Sequence, residues 1–541
     1  MRRSRIFRRT APGLAVAAAL AVMGMPVAHG AEEASKTNWL GSDIDFTLSG
    51  YARGWVSMNL ENQPELKAAN VPKNQRHDSA GKLSMVRGSV LLDADLRTGP
   101  LKWKAIGRVD REIKTNYLND LENLRKHSSV VPTDGGNSIT ENYNNADMRE
   151  LWVEAPIGDR ITVKFGKQQL VWGESDFFHA MDLVHGYDLS WRLFFEDENE
   201  EWRKPLILLS TKIRIPEANG LIAAYIRPGW DRCEDIGNTY DIKGGRWFFQ
   251  PYRGYDLSQV TGNNCRHKEG DMRDVTWGIR WQGEAFDVNY SIAYLTTFSA
   301  DPVASSVFNP YKGVPVKANG TDNASFFDLI HPQIDVVGAT VSGYSATLDA
   351  VLSAEVAYTF DQPYNYGRGG LVGVGVPNIP GNVGVGLDGV KTKDTLTTML
   401  RIDKNLKLED ILHTTRPSFS SIQLFDTMVI DYSGKEDLVR LFAYGTKLQE
   451  HSTILTAFTV LNYKNDEINP SFAVGFDLSN GGGFAIPAVS LVLNANWNAK
   501  IEADIFWARD SNKGQFTNGT SQLFGYFDNA SQLVMRVTRQ F

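Results

Sequence analysis

The chain has 541 residues, and its 63 aspartates and glutamates outnumber its 56 lysines and arginines. This balance excludes the basic surface that is typical of a nucleic-acid-binding protein. After residue 31 no apolar run approaches the roughly 20 residues that a membrane-spanning helix needs, so we do not expect a helical membrane protein.

The first segment has the composition of a cleavable export signal. Its arginines stand before an apolar stretch that runs from residue 11 to residue 28: Arg2, Arg3, Arg5, Arg8 and Arg9. Ala28 and Gly30 supply small residues for a signal peptidase, which places cleavage before Ala31. We therefore predict a signal peptide at residues 1–30 and a single mature domain at 31–541. A twin-arginine signal is disfavoured, because barrel proteins must cross the inner membrane unfolded.

The mature chain repeats a period-2 pattern of apolar and polar residues, which predicts β-strands. In the first strand Phe46 and Leu48 alternate with Thr47 and Ser49. We count about 18 strands, at approximately 44–59, 83–97, 101–116, 147–157, 161–173, 206–216, 220–228, 271–282, 286–298, 332–345, 348–361, 392–405, 419–431, 451–464, 469–478, 484–494, 500–509 and 530–541. Sixteen strands is the main alternative, because the number must be even if both termini lie on one side of a membrane.

The connections between these strands alternate between short turns and long loops. A two-sheet soluble sandwich would also alternate apolar and polar residues, but it would not alternate its connections in this way. Short turns on one side and long loops on the other are typical of outer-membrane barrels. The fold class we predict is therefore an all-β, transmembrane antiparallel β-barrel. A TonB-type transporter is disfavoured, because few residues precede the first strand and leave no room for a plug.

Aromatic residues near the strand ends would suit the two membrane interfaces. The tryptophans that predict such a girdle are Trp55, Trp103, Trp152, Trp230, Trp277, Trp281, Trp497 and Trp507. Ordinary packing between strands is the alternative for each of them.

The early strands place opposite charges on their polar face. The lumenal candidates there are Arg53, Arg87, Arg108, Asp110 and Glu112. Opposed rows of cations and anions can produce a transverse field across a pore and select what passes. A salt-bridged network that stiffens the wall is an equally good interpretation, and the sequence does not separate the two.

Residues 163–192, VKFGKQQLVWGESDFFHAMDLVHGYDLSWR, contain the most specific motif of the chain. The segment GKQQLVWGESD at 166–176, followed by Asp182-Leu183-Val184 and Asp188-Leu189, resembles the DUF1302 family of outer-membrane proteins. The chain departs from the family pattern at His185-Gly186-Tyr187, where a proline is usual. The resemblance implies a barrel in the outer membrane of a Gram-negative bacterium. It also implies a DUF1329-type periplasmic partner, an exporter of the resistance-nodulation-division type, and movement of an apolar or lipid-like compound.

The loop at 174–205 is unusually apolar and aromatic for an exposed loop, and an apolar loop needs cover. We expect it to fold into the barrel as a constriction; a packed extracellular cap is the alternative. The constriction candidates are Lys164, Gln168, Trp172, Glu174, Asp176, Phe177, Phe178, Asp182 and Asp188.

Catalysis and metal binding find little support in the sequence. His179 and His185 lie near three aspartates, but their spacing matches no known catalytic or metal-binding signature. The acidic run at 196–201 reads as a solvated loop. We predict no enzyme activity, no cofactor and no metal.

Cys233 and Cys265 are the only two cysteines, and both lie in one long polar stretch. In an oxidising compartment we expect a disulfide between them. Two unpaired thiols are the alternative.

The final segment alternates Leu533, Met535 and Val537 with Val534 and Arg536, and it continues to a terminal Phe541. A closing strand with a final aromatic residue is typical of outer-membrane barrels, where it is also the signal to the barrel assembly machinery. The surroundings would be outer-membrane lipid and lipopolysaccharide, and we expect no nucleic acid partner.

The function that these observations favour is passage of a small hydrophobic or lipid-like molecule across the outer membrane. A general diffusion porin for polar solutes and a sealed structural or adhesion barrel remain the alternatives.

Overall fold

The computed structural model describes residues 44–62, 79–128, 138–175, 178–196, 198–248, 253–254, 261–263, 273–304, 327–367, 389–439, 447–509 and 524–541. The predicted signal peptide at 1–30 lies outside these residues and stays a prediction. Within them, no helix is both long enough and apolar enough to cross a membrane.

Long antiparallel strands dominate the described chain. They are β1 (Ile44–Asn59), β2 (Leu83–Thr98), β3 (Leu101–Glu112), β4 (Asn145–Ile157), β5 (Ile161–Gln168), β6 (Leu206–Ile215), β7 (Gly220–Arg227), β8 (Thr276–Ala285), β9 (Val288–Phe298), β10 (Gln333–Ser345), β11 (Ala350–Tyr366), β12 (Gly389–Leu406), β13 (Ser418–Val429), β14 (His451–Val460), β15 (Ile468–Asp477), β16 (Gly483–Val492), β17 (Trp497–Trp507) and β18 (Gln532–Gln540).

These strands form a closed barrel. The sheet has 19 strands, and one of them, Leu438–Val439, is a two-residue addition at the end of β11. The other 18 pair with their neighbours in chain order, and β1 pairs with both β2 and β18. Closure leaves no sheet edge with unpaired backbone groups, which a bilayer interior requires. The predicted fold class and the count of 18 strands are confirmed, and the alternative of 16 is wrong.

The alternating pattern separates two faces of the wall. Phe46 and Leu48 on β1 and Met535 on β18 are exposed on the outside, while Arg53 on β1 and Thr538 on β18 are buried inside. An apolar outer face and a polar inner face are what a barrel in lipid needs.

The connections confirm the predicted alternation with one exception. Gly99–Pro100 joins β2 to β3, and Phe286–Asp287, both with positive φ, join β8 to β9 in a tight hairpin. At the opposite end the connections are long, except for residues 478–482 between β15 and β16.

Smaller elements lie in the connections, most of them at the end with the long loops; Pro216–Ala218 and Glu409–Leu412 lie at the end with the short turns. The helices are α1 (Asn116–Ser128), α2 (Asn199–Trp202) and α3 (Glu409–Leu412), and 3-10 turns lie at Ile139–Asn142, Pro216–Ala218, Cys233–Asp235, Gly434–Glu436 and Phe524–Phe527. A separate sheet joins Thr261–Asn263, Val303–Ala304 and Phe327–Ile330.

Two details of the predicted strands are wrong. The strand predicted at 161–173 ends at Gln168, because the chain turns away from the wall there. Trp55 and Trp152, predicted for the interfacial girdle, are buried on the inner face, whereas Trp103, Trp230 and Trp277 are exposed.

Candidate functional site: a loop across the barrel lumen

Residues 169–205, which we name the inner loop, connect β5 to β6 and cross the lumen. Near its start, Met181 N–H donates to the Glu355 carboxylate of β11 at 3.0 Å. Near its end, the Tyr51 hydroxyl of β1 donates to the Glu201 carboxylate at 2.8 Å. Since β1 and β11 lie on opposite sides of an 18-stranded ring, one loop contacts both sides of the wall.

A cluster of arginines on β1, β3 and β4 holds the end of the inner loop; we name it the arginine anchor. Arg53 and Arg108 reach the Glu201 carboxylate at 3.1 and 3.3 Å. Arg149 donates at 2.6 Å to the carbonyl of Arg203 and, at the same distance, to that of Glu200. Burial by itself raises the pKa of the Glu201 carboxyl, but Arg53 and Arg108 outweigh it and hold that pKa below its usual value. Glu201 therefore stays ionised among buried cations.

Arg192 ties the middle of the inner loop to β17 and β18. It pairs with Glu196 of the same loop at 2.6 Å, with Glu502, and with Asp504 at 3.6 Å. Glu196 in turn contacts Arg536 of β18 at 3.2 Å. Because Arg192 is fully buried, the loss of its partners would be costly.

Aromatic side chains hold a second part of the inner loop, against β13, β16 and β17; we name this the aromatic side. Phe178 contacts Phe425 of β13 with ring centroids 5.6 Å apart. Phe195 lies 5.9 Å from Phe484 of β16 and 5.2 Å from Phe506 of β17. These edge-on and tilted pairs are geometries that aromatic rings favour.

A small residue in the wall accommodates the start of the inner loop. Met181 is fully buried against β10, and a Cβ at Gly338 would collide with its sulfur atom. Glu355 lies next to this contact and also accepts a hydrogen bond from the Glu174 backbone. This carboxylate therefore binds two backbone N–H groups of the loop.

The interior of the inner loop is a hydrogen-bonded unit of its own. Asp182 accepts from Arg203 at 2.5 Å and from the Tyr187 hydroxyl at 2.8 Å. His185 Nε2 accepts from the Leu170 N–H at 2.8 Å, so its Nδ1 carries the proton and donates to the Lys204 carbonyl at 2.9 Å. The imidazole is thus held neutral by two backbone groups.

His179 lies stacked on the Tyr187 ring at 4.3 Å. Burial lowers the pKa of both His179 and His185 to about 4. Within the part of the chain that the structure describes, neither histidine forms a hydrogen bond with a serine or a carboxylate, and Asp182 binds Arg203 and Tyr187 instead. Among the described residues no cluster of three or more histidine, cysteine or acidic side chains could hold a metal ion.

The early-strand charges pair with one another instead of lining an open path. Arg87 and Arg108 both contact Asp110 at 3.1 Å. Glu112 pairs at 2.7 Å with Arg246, from the connection between β7 and β8. All five side chains are buried. The structure therefore favours the salt-bridged network over opposed rows facing a pore.

The other predicted site residues are spread over the wall and the loop. Lys164 lies over the Trp152 ring at 4.1 Å, and Gln168 is buried and donates to the Leu208 carbonyl at 2.9 Å. Trp172 is buried against Tyr225, which makes it part of the packed core.

Three further predictions concern loop residues. The Asp188 carboxylate accepts from the Ser190 N–H at 3.1 Å. Asp176 and Phe177 lie outside the described residues. Cys233 takes part in a disulfide, but its predicted partner Cys265 also lies outside the described residues, so the pairing stays a prediction.

A cavity of about 320 Å³ lies between the inner loop and the wall of β14–β17. Phe194 and Phe195 form its loop side, and Phe458, Ile486 and Ala488 are among the wall residues. Its polar groups include Lys500 and Glu502, which pair at 2.8 Å. A mostly apolar pocket with a few polar groups is typical of small-molecule sites.

Sequence reasoning missed three residues that hold the inner loop: Arg192, Glu201 and Glu355. Of these residues, only Glu355 could have been noticed from its sequence context, because it is the one acidic residue in the mostly apolar segment 350–358 of β11. The interpretation of residues 196–201 as a solvated loop is wrong for Glu196 and Glu201, which are held in ion pairs inside the barrel.

Comparisons with known proteins give one family model and several similar solved structures. A family model described as "Protein of unknown function (DUF1302)" matches residues 11–541. A comparison with curated proteins gives no match. OccAB1 of Acinetobacter baumannii is a similar solved structure, with 10% identity, a TM-score of 0.43, and coverage of 94% of this chain and 99% of that one.

Two more solved structures are similar over most of their length. The outer-membrane protein OpdK of Pseudomonas aeruginosa has 8% identity, a TM-score of 0.42 and coverage of 92% and 99%. The outer-membrane channel DcaP of Acinetobacter baumannii has 8% identity, a TM-score of 0.38 and coverage of 92% and 97%. Identities of this size say nothing about a substrate.

Proposed function

Since the chain belongs to the DUF1302 family, whose function is unknown, we propose a function from its geometry: an outer-membrane channel in which the inner loop gates a path for a small hydrophobic molecule. The observation on which this rests is the apolar cavity that Phe194 and Phe195 form with the wall of β14–β17. The proposed location is the outer membrane of a Gram-negative bacterium, reached through the predicted signal peptide.

The charges of the wall support this choice over a general porin. A porin for polar solutes offers them water and accessible charges in its lumen. Here Arg87, Arg108 and Asp110 are buried in ion pairs, and Arg53 is covered by Glu201 of the inner loop. The accessible surface beside the loop is instead mostly apolar, from phenylalanine, isoleucine and alanine side chains, although polar residues such as Glu196, Lys500 and Glu502 also line it. An apolar solute gains from such surfaces, because its contact with water is reduced.

Single-channel conductance of the refolded protein in a planar bilayer tests the gate. We expect little steady conductance from the intact protein and open-channel currents after residues 178–195 are replaced by a glycine-serine linker. The circular dichroism spectrum and heat-dependent gel mobility should be unchanged, which shows an intact barrel. Steady conductance in the intact protein would mean an open porin, and silence in both proteins would favour a sealed structural barrel.

The substrate class needs a second measurement. We expect N-phenyl-1-naphthylamine, a fluorescent apolar probe, to enter the outer membrane of cells that produce the barrel faster than that of matched cells without it. The uptake of a zwitterionic sugar-sized solute should not increase. The reverse preference would contradict an apolar path.

The partners are proposals that follow from the family resemblance alone. They are a DUF1329-type periplasmic protein and an exporter of the resistance-nodulation-division type, with the barrel assembly machinery inserting the barrel beside lipid and lipopolysaccharide. Co-purification of the barrel from membranes that contain a candidate partner, compared with membranes that lack it, would test each of them.

A further inference from the structure

Pro487 interrupts one ladder of the barrel wall. It lies in the middle of β16, with its side chain exposed on the lipid face. Pairing between β16 and β17 stops after Ala485 opposite Ile505 and resumes at Ala488 opposite Glu502. The register is the same on both sides of the interruption, so no extra residue is inserted and this is not a bulge. The cause is the missing N–H of proline.

The position of the missing hydrogen bond follows from the neighbouring strand. Pro487 remains paired with Phe472 of β15 in an unbroken ladder. Since proline cannot donate, its nitrogen must face β17, where the register places Ala503 opposite it. An N–H at position 487 would donate to the Ala503 carbonyl. In a bilayer no water replaces that bond, so the wall is weakened here.

The other prolines in the described barrel strands are Pro156 in β4, Pro363 in β11 and Pro470 in β15. Pro156 and Pro363 each lie beyond the last residue pair of one neighbouring ladder, so the wall needs no N–H from them on that side. Pro470 does remove a bond, because pairing between β14 and β15 stops after Val460 opposite Ser471 and resumes at Tyr463 opposite Ile468 in the same register. That gap lies at the turn end of the two strands, whereas the gap at Pro487 lies in the middle of β16.

The interruption lies directly outside the cavity beside the inner loop. Ile486 and Ala488, the two residues that flank Pro487, both point inward and line that cavity. Phe194 and Phe195 face them from the loop. The weakest point of this ladder and the apolar cavity thus share the same pair of strands.

The side chains at the interruption are small on the lipid face. Ala485 and Ala503 flank Pro487 there, while the larger Ile501 and Ile505 lie above and below and are exposed. On the inner face of β17, Glu502 is paired with Lys500, so a polar end of a ligand would find partners close to the apolar cavity. The surroundings suit a molecule with an apolar body and one polar end.

We propose that such an amphipathic molecule moves between the cavity and the membrane sideways, through the wall between β16 and β17 at Pro487. The proposal rests on the channel function proposed above and adds a lateral route to it. The strands separate locally when the molecule passes, and the absent bond to Ala503 lowers the number of hydrogen bonds that must break.

Restoring the missing donor gives the first test. The change Pro487→Ala supplies an N–H opposite Ala503, and we expect it to abolish most of the extra uptake of N-phenyl-1-naphthylamine by cells producing the barrel. The matched control, Pro156→Ala, supplies an N–H at a position beyond the last residue pair of the β3–β4 ladder and should leave uptake unchanged. Ion conductance after removal of residues 178–195 should be the same in all three proteins, since the axial path is not altered.

A covalent closure gives the second test. The pair Ala485→Cys and Ile505→Cys lies at directly opposed positions beside the interruption, within the Cα separation that a disulfide allows, and it leaves Pro487 in place. Its control pair, Leu491→Cys and Ala499→Cys, bridges the same two strands away from the interruption. Oxidation should slow uptake in the first pair and reduction should restore it, while the control pair should not respond. Both proteins receive the same reductant, so any effect on the native disulfide is matched.

The outcomes separate the two proposals. If the unmodified barrel gives no more uptake than cells without it, the proposed function fails. If it does increase uptake, but both Pro487→Ala and the oxidised cysteine pair at positions 485 and 505 transport at the unmodified rate, the lateral route is wrong and the molecule follows the barrel axis.

Discussion

The inner loop is held in two different ways at two places on the wall. At the arginine anchor, Arg53 and Arg108 contact the Glu201 carboxylate and Arg149 donates to two backbone carbonyls of the loop. On the aromatic side, Phe178 and Phe195 contact the wall through edge-on and tilted ring pairs. Charged contacts require one geometry, whereas apolar contacts tolerate small displacements.

The cavity lies on the side that tolerates displacement. Phe194 and Phe195 line it, and no residue of the arginine anchor does. This difference indicates that the anchor acts as the fixed end of the inner loop and that the aromatic side adapts to a ligand. We therefore expect mutations at the arginine anchor to have larger effects than mutations on the aromatic side.

The largest effect should follow from removing the charge at the centre of the anchor. Glu201→Gln removes the carboxylate that two buried arginines, Arg53 and Arg108, share, and breaking a buried pair in this way costs about 3–5 kcal/mol. We expect release of the loop, seen as steady conductance and as new protease cleavage within residues 178–196. The control Glu217→Gln removes an exposed partner of Arg160 in a turn and should change neither readout. An unchanged conductance in Glu201→Gln would show that the anchor is not the fixed end.

A smaller effect should follow on the aromatic side. Phe194→Ala removes a half-buried ring that borders the cavity, and we expect a loss of roughly 1.5–3 kcal/mol in the stability of the loop. The loop should stay anchored, so conductance should rise less than in Glu201→Gln, while the probe N-phenyl-1-naphthylamine should bind more weakly in a fluorescence titration. Tighter binding, or a conductance equal to that of Glu201→Gln, would contradict the division into fixed and adaptable ends.

The barrel could be predicted from the sequence because its strands separate two media. Phe46 and Leu48 must face lipid and Arg53 must not, so the alternation indicates where the strand lies and which of its faces contacts lipid. The end of β5 could not be predicted in this way. The alternation continues past Gln168, but the chain turns inward there to begin the loop, and pattern alone does not report which neighbour a residue pairs with.

The candidate site could be predicted only in outline. The apolar composition of residues 174–205 indicated that other parts of the protein cover this loop. The structure places Phe178 and Met181 of the loop against the barrel wall. The partners of Glu201 lie about 90 and 150 residues away in the chain, and no local pattern links them. Trp55 was assigned to the interface because aromatic residues suit both a membrane interface and a packed interior.

The contact at Gly338 offers a finer test of how closely the start of the loop fits the wall. Gly338→Ala places a Cβ against the Met181 sulfur, and overpacking of this kind costs about 1–3 kcal/mol. Since a methionine side chain can move, we expect partial loosening of the loop, with protease cleavage slower than in Glu201→Gln. The double change Gly338→Ala with Met181→Ala should recover part of the loss. If the single change has no effect, Met181 does not fix the position of the loop.

Acid should loosen the inner loop gradually. Burial depresses the pKa of His179 and His185 to about 4, whereas an unfolded histidine titrates near 6.5. Between these values the unfolded loop binds more protons than the folded one, so the folded loop is most stable above about pH 6.5 and loses stability as the pH falls towards 4. Burial raises the pKa of Asp182, but Arg203 outweighs it and holds that pKa down, so this carboxyl is ionised in both states above about pH 5 and accounts for little of the change there. Conductance recorded from pH 7 to pH 4 should therefore rise, and His179→Phe should reduce the rise while His413→Gln, in an exposed turn, should not. An equal response in all three proteins would mean that the buried histidines do not control the adaptable side of the loop.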